Sequence, residues 1–387
     1  MRNKYKIGFW NYVNTGDRDE KDVMMWRELG FNLAMSFEFD PAVHDKSAMI
    51  RVLDECLEQN ISVIVCDSRT NFRTCLAVGK DAFVKGVYAA VEDFGAHKAV
   101  YGFHIGDEPL DNVPAEVEAA AFALKTVKNV APWLHPFLNL LPIHDELSCS
   151  PKEYCSFWFD VFKDSGANIV SYDYYGQCSY FEREKYRDIY FRNLNEWYAT
   201  ASKMNAECWT CLLSVGHGSL RVPTQDDIRW QINTAAAHGL TGFLWFFLYE
   251  RFYDGWWAFR NSPIDRFWNK TDLYDKLAYE NKTFLEFHAP VLSQYQFVKV
   301  MHFNKCYGGT DEFKTGHGIK SLSIWINEGC PLIVSEFENE VSRAFVVVNN
   351  SQTEPVRIKL EFDDNLKMPM QSPWLAPGGM QIFTLNK

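Results

Sequence analysis

Short apolar runs of strand length alternate with amphipathic stretches of helical period along the first three quarters of the chain. The runs lie at residues 6–13 (KIGFWNYV), 31–39 (FNLAMSFEF), 61–68 (ISVIVCDS) and 99–106 (AVYGFHIG), and again at 135–141 (HPFLNLL), 168–176 (NIVSYDYYG), 208–216 (CWTCLLSVG) and 241–249 (TGFLWFFLY). Between them stand segments such as DEKDVMMWRELG, AEVEAAAFALKTVKNVA and TQDDIRWQINTAAAHG, whose apolar residues recur at spacings of three and four. Eight strand-then-helix units predict a parallel sheet closed into a (β/α)8 TIM barrel. The rival is a doubly wound open sheet. It would place a glycine-rich phosphate turn after the first strand, where GFWNYVNTGD stands instead.

Beyond the helix expected around Asp272 to His288 the pattern changes. The runs QFVKVMHF, IKSLSIWI, PLIVSEFE, RAFVVVNN, VRIKLEF and MQIFTLN are separated by turns such as NNSQTEP and APGG, which predicts a small antiparallel β-sandwich. A barrel domain at 1–290 and an accessory β-domain at 291–387 account for a chain too long for a single core.

Charge and motifs narrow the chemistry. With 39 Lys+Arg against 50 Asp+Glu and no basic run, nucleic acid is excluded as an expected partner. No stretch of about 18 apolar residues predicts a membrane span. The N-terminus enters a strand pattern directly, so the expectation is a soluble cytoplasmic protein; self-association is left open. The ten cysteines are scattered, several within strand runs, and read as reduced thiols. The one CxxC, Cys208 to Cys211, lies in a strand that would point the two thiols to opposite faces. Neither an HExxH nor a P-loop occurs, so no metal and no cofactor is expected.

A barrel of this kind carries its site at the C-terminal ends of its strands. The polar residues there are Asn11 and Tyr12, Glu38, Asp67, Asp107 and Glu108, Asn139, Asp173, Tyr175, His217, and Tyr249 with Glu250. Converging carboxylates repel one another, and strand-end acids gathered by a barrel therefore mark a site. In YGFHIGDEP an apolar strand ends in two acids and a proline, which suits Glu108 as a general acid for breaking a glycosidic bond. The competing reading is an exposed turn whose acids cap the next helix. In SYDYYG alternation puts Ser171, Asp173 and Tyr175 on one face, making Asp173 the partner carboxylate or an acceptor of substrate hydroxyls.

GDEP after the fourth strand, YDYYG on the sixth, GLTGFLWFFLYE on the eighth and the following NSPID and NKTDLY resemble a large group of glycoside-hydrolase-like barrel proteins, over most of residues 1–387. Two better-known groups share pieces. Glu108 stands as the acid/base Glu of retaining clan A glycosidases does, but the seventh strand ends in LLSVGHG, without their nucleophile. Asp107-Glu108 is similar to the Asp-Glu pair of substrate-assisted hexosaminidases, a resemblance that implies Asp107 orienting an acetamido group and Glu108 as acid. A third arrangement pairs Glu108 with Asp173, at about 5 to 5.5 Å for retention or roughly 6.5 to 9.5 Å for inversion.

Aromatic side chains make up 16% of the chain, and flat rings are what sugar faces stack against. Trp10, Tyr175, Tyr249, Tyr253, Trp256 and Trp257 are the expected platform around the mouth. Asn11, Glu38, Asp67, His104, Asn139, His217, Arg221 and Glu250 are the expected hydroxyl-binding groups, although His104 reads more readily as a satisfied core histidine. The expectation is a glycoside hydrolase acting on carbohydrate. Its alternative is a non-catalytic barrel that binds glycan through the same mouth.

Overall fold

The computed structural model describes residues 4–17, 21–250, 255–316, 318–366 and 368–386. Eight parallel strands form its ring: β1 (Lys6–Phe9), β2 (Leu33–Met35), β3 (Ser62–Val65), β4 (Val100–Asp107), β5 (His135–Leu140), β6 (Ile169–Asp173), β7 (Glu207–Leu213) and β8 (Gly242–Phe246). Each pairs with the next in sequence from β2 round to β8, and β8 pairs with β1. Between β1 and β2 single bonds replace a ladder. The Asn32 side-chain oxygen accepts from the Ile7 N–H at 2.9 Å while its own N–H donates to the Ile7 carbonyl at 3.1 Å. Higher up, Glu38 N–H reaches the Val13 carbonyl at 2.9 Å, so the ring is a nearly closed barrel.

Around the ring run α1 (Asp22–Glu28), α2 (Lys46–Glu58), α3 (Phe72–Val78), α4 (Lys80–Ala90), α5 (Pro114–Val130), α6 (Pro151–Phe162), α7 (Arg183–Lys203), α8 (Gln225–Ala237) and α9 (Asp272–Thr283). Their starts are written locally: Ser150 with Glu153 and Thr224 with Asp227 form reciprocal capping boxes on α6 and α8. In α5, Ala119, Ala120, Ala123, Leu124 and Val127 are buried at spacings of one, three and four, which turns one face onto the sheet. Inside the ring, Leu33, Met35, Ile64, Phe137, Trp209 and Leu244 form a second core that fills the barrel below its mouth. Cys211 belongs to this inner core and Cys208 to the outer one, and both thiols are free.

The strands are shorter than the apolar runs that announce them. Phe37 and Phe39 are buried beyond the end of β2, and Phe247 and Leu248 beyond β8, because the loops at the mouth pack as an apolar collar after the ladder has ended.

Two sheets follow: β9 (Gln296–Phe303), β10 (Asp311–Glu312), β12 (Leu332–Glu338), β13 (Ser342–Asn349) and β16 (Met380–Asn386) in one, and β11 (Ile319–Ile326), β14 (Val356–Phe362) and β15 (Trp374–Leu375) in the other. Pairing is antiparallel except for the two-residue β9–β10 ladder. Val334, Phe345 and Val347 of the first sheet meet Ile358 and Leu360 of the second in a separate core, as expected of a sandwich. This unit rests on α8, where Trp230 Nε1 donates to Asn350 at 2.9 Å and Ser335 Oγ to the Ala237 carbonyl at 2.6 Å.

Candidate active site

The end of β4 is bent by its own sequence. The β4–β5 register slips between His104 and Gly106, a bulge that re-aims the last side chains of the strand. Gly106 has φ +147°, and a Cβ there would lie 2.3 Å from the Phe72 ring. Glu108 is held in the left-handed region at φ +47°, with its N–H bonded to the Asn139 carbonyl at 3.0 Å. Pro109 disfavours the right-handed helical alternative for the residue before it. A non-glycine residue in this region is costly and is found where surroundings impose it. The two acids do not cap a helix: α5 starts at Pro114 behind Val113, which makes no side-chain cap.

Asp107 and Glu108 enter a cleft of about 310 Å³ with Asp173, Asn139, Cys211 and His217, walled by Trp10, Tyr12, Tyr175, Phe246, Trp257 and Phe259. Asn139 ties the acids together, its Nδ2 donating to Asp107 and to Asp173, each at 3.2 Å. The Asn139 amide is itself fixed through its oxygen, which accepts from Ser171 Oγ at 2.9 Å. Glu108 and Tyr175 line this cleft beside Asp173 and act on its charge. The Tyr175 ring stacks on Phe246 with centroids 5.2 Å apart, and His217 stands edge-on to both.

All three carboxyls are shifted the same way. Burial, then the neighbouring Glu108, pushes Asp107 up to about 7. Burial raises Glu108, against the opposing pull of the Asp173 hydrogen bond and of Arg73. Burial, followed by Glu108 and Asp107, takes Asp173 well above the carboxylate range. Burial pushes His104 and His217 down to about 4, so both rings are neutral near pH 7.

A second, larger cleft of about 760 Å³ adjoins the first and shares Trp10, Tyr12 and Asp107 with it. It carries Asn11, Glu38, Asp67 and His104 of the sequence-derived set. Two of these are already engaged: Asn11 spans Met35 O and Val13 N, and Asp67 binds Arg69 at 2.7 Å.

Four expected residues lie elsewhere. The Tyr249 hydroxyl is buried behind β8, donating to Asp22 at 2.7 Å and accepting from Trp26 Nε1. Glu250 is buried against Arg266 at 2.5 Å. Arg221 forms a two-pronged pair with buried Asp227, one arm at 2.6 Å, and serves the start of α8. Trp256 is 85% exposed and lines neither cleft. Tyr253 lies outside the described residues. Parity held the signal for Tyr249: Leu244 faces the barrel interior and Phe246 the mouth, so a residue three beyond Phe246 falls on the other side. Phe246 and Phe259 were not anticipated, nor was Arg73, which sits on the first turn of α3 rather than on a strand end.

Among the described residues, no group of three or more His, Cys, Asp or Glu is placed to hold a metal ion, and no helix is long and apolar enough to cross a membrane. No family model matches the chain, and no curated protein matches it by sequence. Solved structures do share its fold. The β-galactosidase from the psychrophilic Marinomonas ef1 is similar at TM-score 0.56 and 11% identity over 74% of this chain, which spans only 60% of that enzyme. A glucosidase from Croceicoccus marinus is similar at 0.53 and 14%, over 90% of this chain and 75% of the other. A putative α-L-fucosidase from Bacteroides thetaiotaomicron VPI-5482 is similar at 0.51 and 14%, over 72% and 96%. At these identities the likeness is one of fold.

Proposed function

We propose that the chain is a glycoside hydrolase whose proton donor is Glu108. The observation that carries this reading is the gathering of Glu108, Asp107 and Asp173 in one aromatic-walled cleft, with Asn139 bonded to both aspartates. Carboxyls buried together disfavour one another's charge, so the cluster keeps a proton near neutrality. Asn139 and Tyr175 both direct neutral donors at Asp173, which opposes the upward push of burial there, and burial raises Glu108 as well, so a shared proton is open to Glu108. That proton is what a departing glycosidic oxygen needs. The rings of Trp10, Tyr175 and Phe246 offer faces for the sugar, and the fold shared with enzymes named as galactosidase and glucosidase supports the class.

The partner carboxylate is Asp173 or Asp107. β7 ends at Leu213 without an acid to serve as a retaining nucleophile. This favours a substrate-assisted variant, in which the acetamido group of an N-acetylhexosaminide attacks the anomeric carbon and Asp107 orients it. Hydrolysis of a panel of chromogenic glycosides, N-acetylhexosaminides included, by wild type and Glu108→Gln tests the proposal. Turnover of at least one glycoside should fall by about a hundredfold or more in the variant. A wild type that binds glycans but turns over none of the panel would instead support the non-catalytic barrel.

A further inference from the structure

The 310 Å³ cleft that holds the acids sits at the low end of the roughly 300–1,000 Å³ typical of small-ligand sites, enough for one sugar ring. The neighbouring 760 Å³ cleft is more than twice as large, opens onto the first through Trp10, Tyr12 and Asp107, and is not needed to hold a ring at Glu108. Its walls come mainly from the segments after β1, β2 and β3, with His104 and Asp107 of β4 on the side of the smaller cleft.

Its polar groups divide into two kinds. Asn11 and Asp67 are consumed by the protein itself. Three others remain available. The Arg73 guanidinium lies 4.8 Å from the Phe72 ring centroid and has no hydrogen bond or ion pair among the described residues. The Glu38 carboxylate likewise has no donor among them, although its backbone is pinned on both sides to the segment after β1. The buried Nε2 of His104 is without a partner in the same wall. A buried polar atom left unpaired is costly and marks a place where a partner belongs.

The chemistry of that partner follows from the mixture. Arg73 offers donors, Glu38 acceptors and the neutral His104 ring one or the other, which matches vicinal hydroxyls, each of them both donor and acceptor. An acidic sugar would instead bring its charge beside Glu38 and Asp40 with Arg73 alone to offset it, since Arg69 is committed to Asp67 and Asp93. We infer that this larger cleft is a second sugar subsite for a neutral pyranose, so that the chain acts on oligosaccharides rather than on single glycosides. The inference rests on the reading of the smaller cleft as a sugar site.

The test separates the two. Calorimetry with Glu108→Gln and neutral gluco-, galacto-, manno-, xylo- and N-acetylglucosamine oligosaccharides of one to four units reads binding without turnover. At least one series should gain tenfold or more in affinity between one and three units, and Glu38→Ala should remove most of that gain. Gly16 lines the larger cleft, and among the described residues a Cβ added there meets nothing within 4 Å, so Gly16→Trp puts a ring into that space. Gly16→Trp should abolish the length-dependent gain while 4-nitrophenyl monoglycoside hydrolysis stays within threefold of wild type. Affinity independent of length, an undiminished gain in Gly16→Trp, or a preference for uronate-bearing oligosaccharides would overturn the subsite. Length-dependent binding by a wild type that hydrolyses nothing would keep the subsite and remove the hydrolase. No binding of any series would overturn the subsite, and would overturn the hydrolase too only if wild type also turned over no 4-nitrophenyl glycoside.

Discussion

Asp107 is an acid poised to ionise close to neutrality, and this has consequences for both stability and rate. Its ordinary value is 3.8 and burial lifts it to about 7, so the folded state holds its proton where the unfolded chain has released it. The folded state binds more protons between those values, and stability therefore falls as pH rises through that window. Asp107→Asn removes the cost of ionisation. Thermal melts should show the variant more stable than wild type at pH 8 and the difference closing by pH 4; a variant less stable at pH 8 would refute this account of Asp107. By the same reasoning kcat/KM should decline on the alkaline side as the cluster loses its proton. At this scale the acids were legible because strand ends concentrate them and alternation assigned Asp173 and Tyr175 to one face. Arg73 was not, since a residue on a helix after a turn has no period to betray where it points.

Secondary elements were read more completely than their ends. All eight barrel strands coincide with apolar runs, but β2 keeps three ladder residues of a nine-residue run, because burial under loops at the mouth looks the same in sequence as burial in a sheet. The same collar explains Tyr249 and Glu250, which follow the end of β8 and turn away to meet α1 and Arg266. Arg221 illustrates how an ion pair can imitate a site. It is held by Asp227, which is 1% exposed and also caps α8 through Thr224. Arg221→Met leaves that carboxylate short of its cation and should cost about 3 kcal/mol in urea unfolding, the low end for breaking a buried pair, because Thr224 and Gln352 remain as donors. Loss of sugar affinity at unchanged stability would show instead that Arg221 serves the cleft.

In the whole molecule, barrel and sandwich are joined by specific chemistry on α8. Asn233 donates to the Gly378 carbonyl at 2.9 Å, and Gly378 has φ +66° with the Trp230 backbone 2.5 Å from where a Cβ would stand. Gly378→Ala should therefore destabilise the protein by about 2–3 kcal/mol through strain and overpacking, read from urea midpoints, while a ring-sized substrate at Glu108 is still accepted. No periodicity in the sequence could have located this contact, since it joins a turn to a helix about 150 residues earlier. The central claim concerns the proton on Glu108, and the most direct measurement is kcat/KM for two glycosides of one sugar, one with a 2,4-dinitrophenyl and one with an alkyl leaving group. Glutamine keeps the shape of Glu108 but cannot deliver a proton, so Glu108→Gln should lose about a hundredfold or more on the alkyl glycoside and no more than about tenfold on the dinitrophenyl one. Equal losses on both substrates would contradict the assignment of Glu108 as the acid.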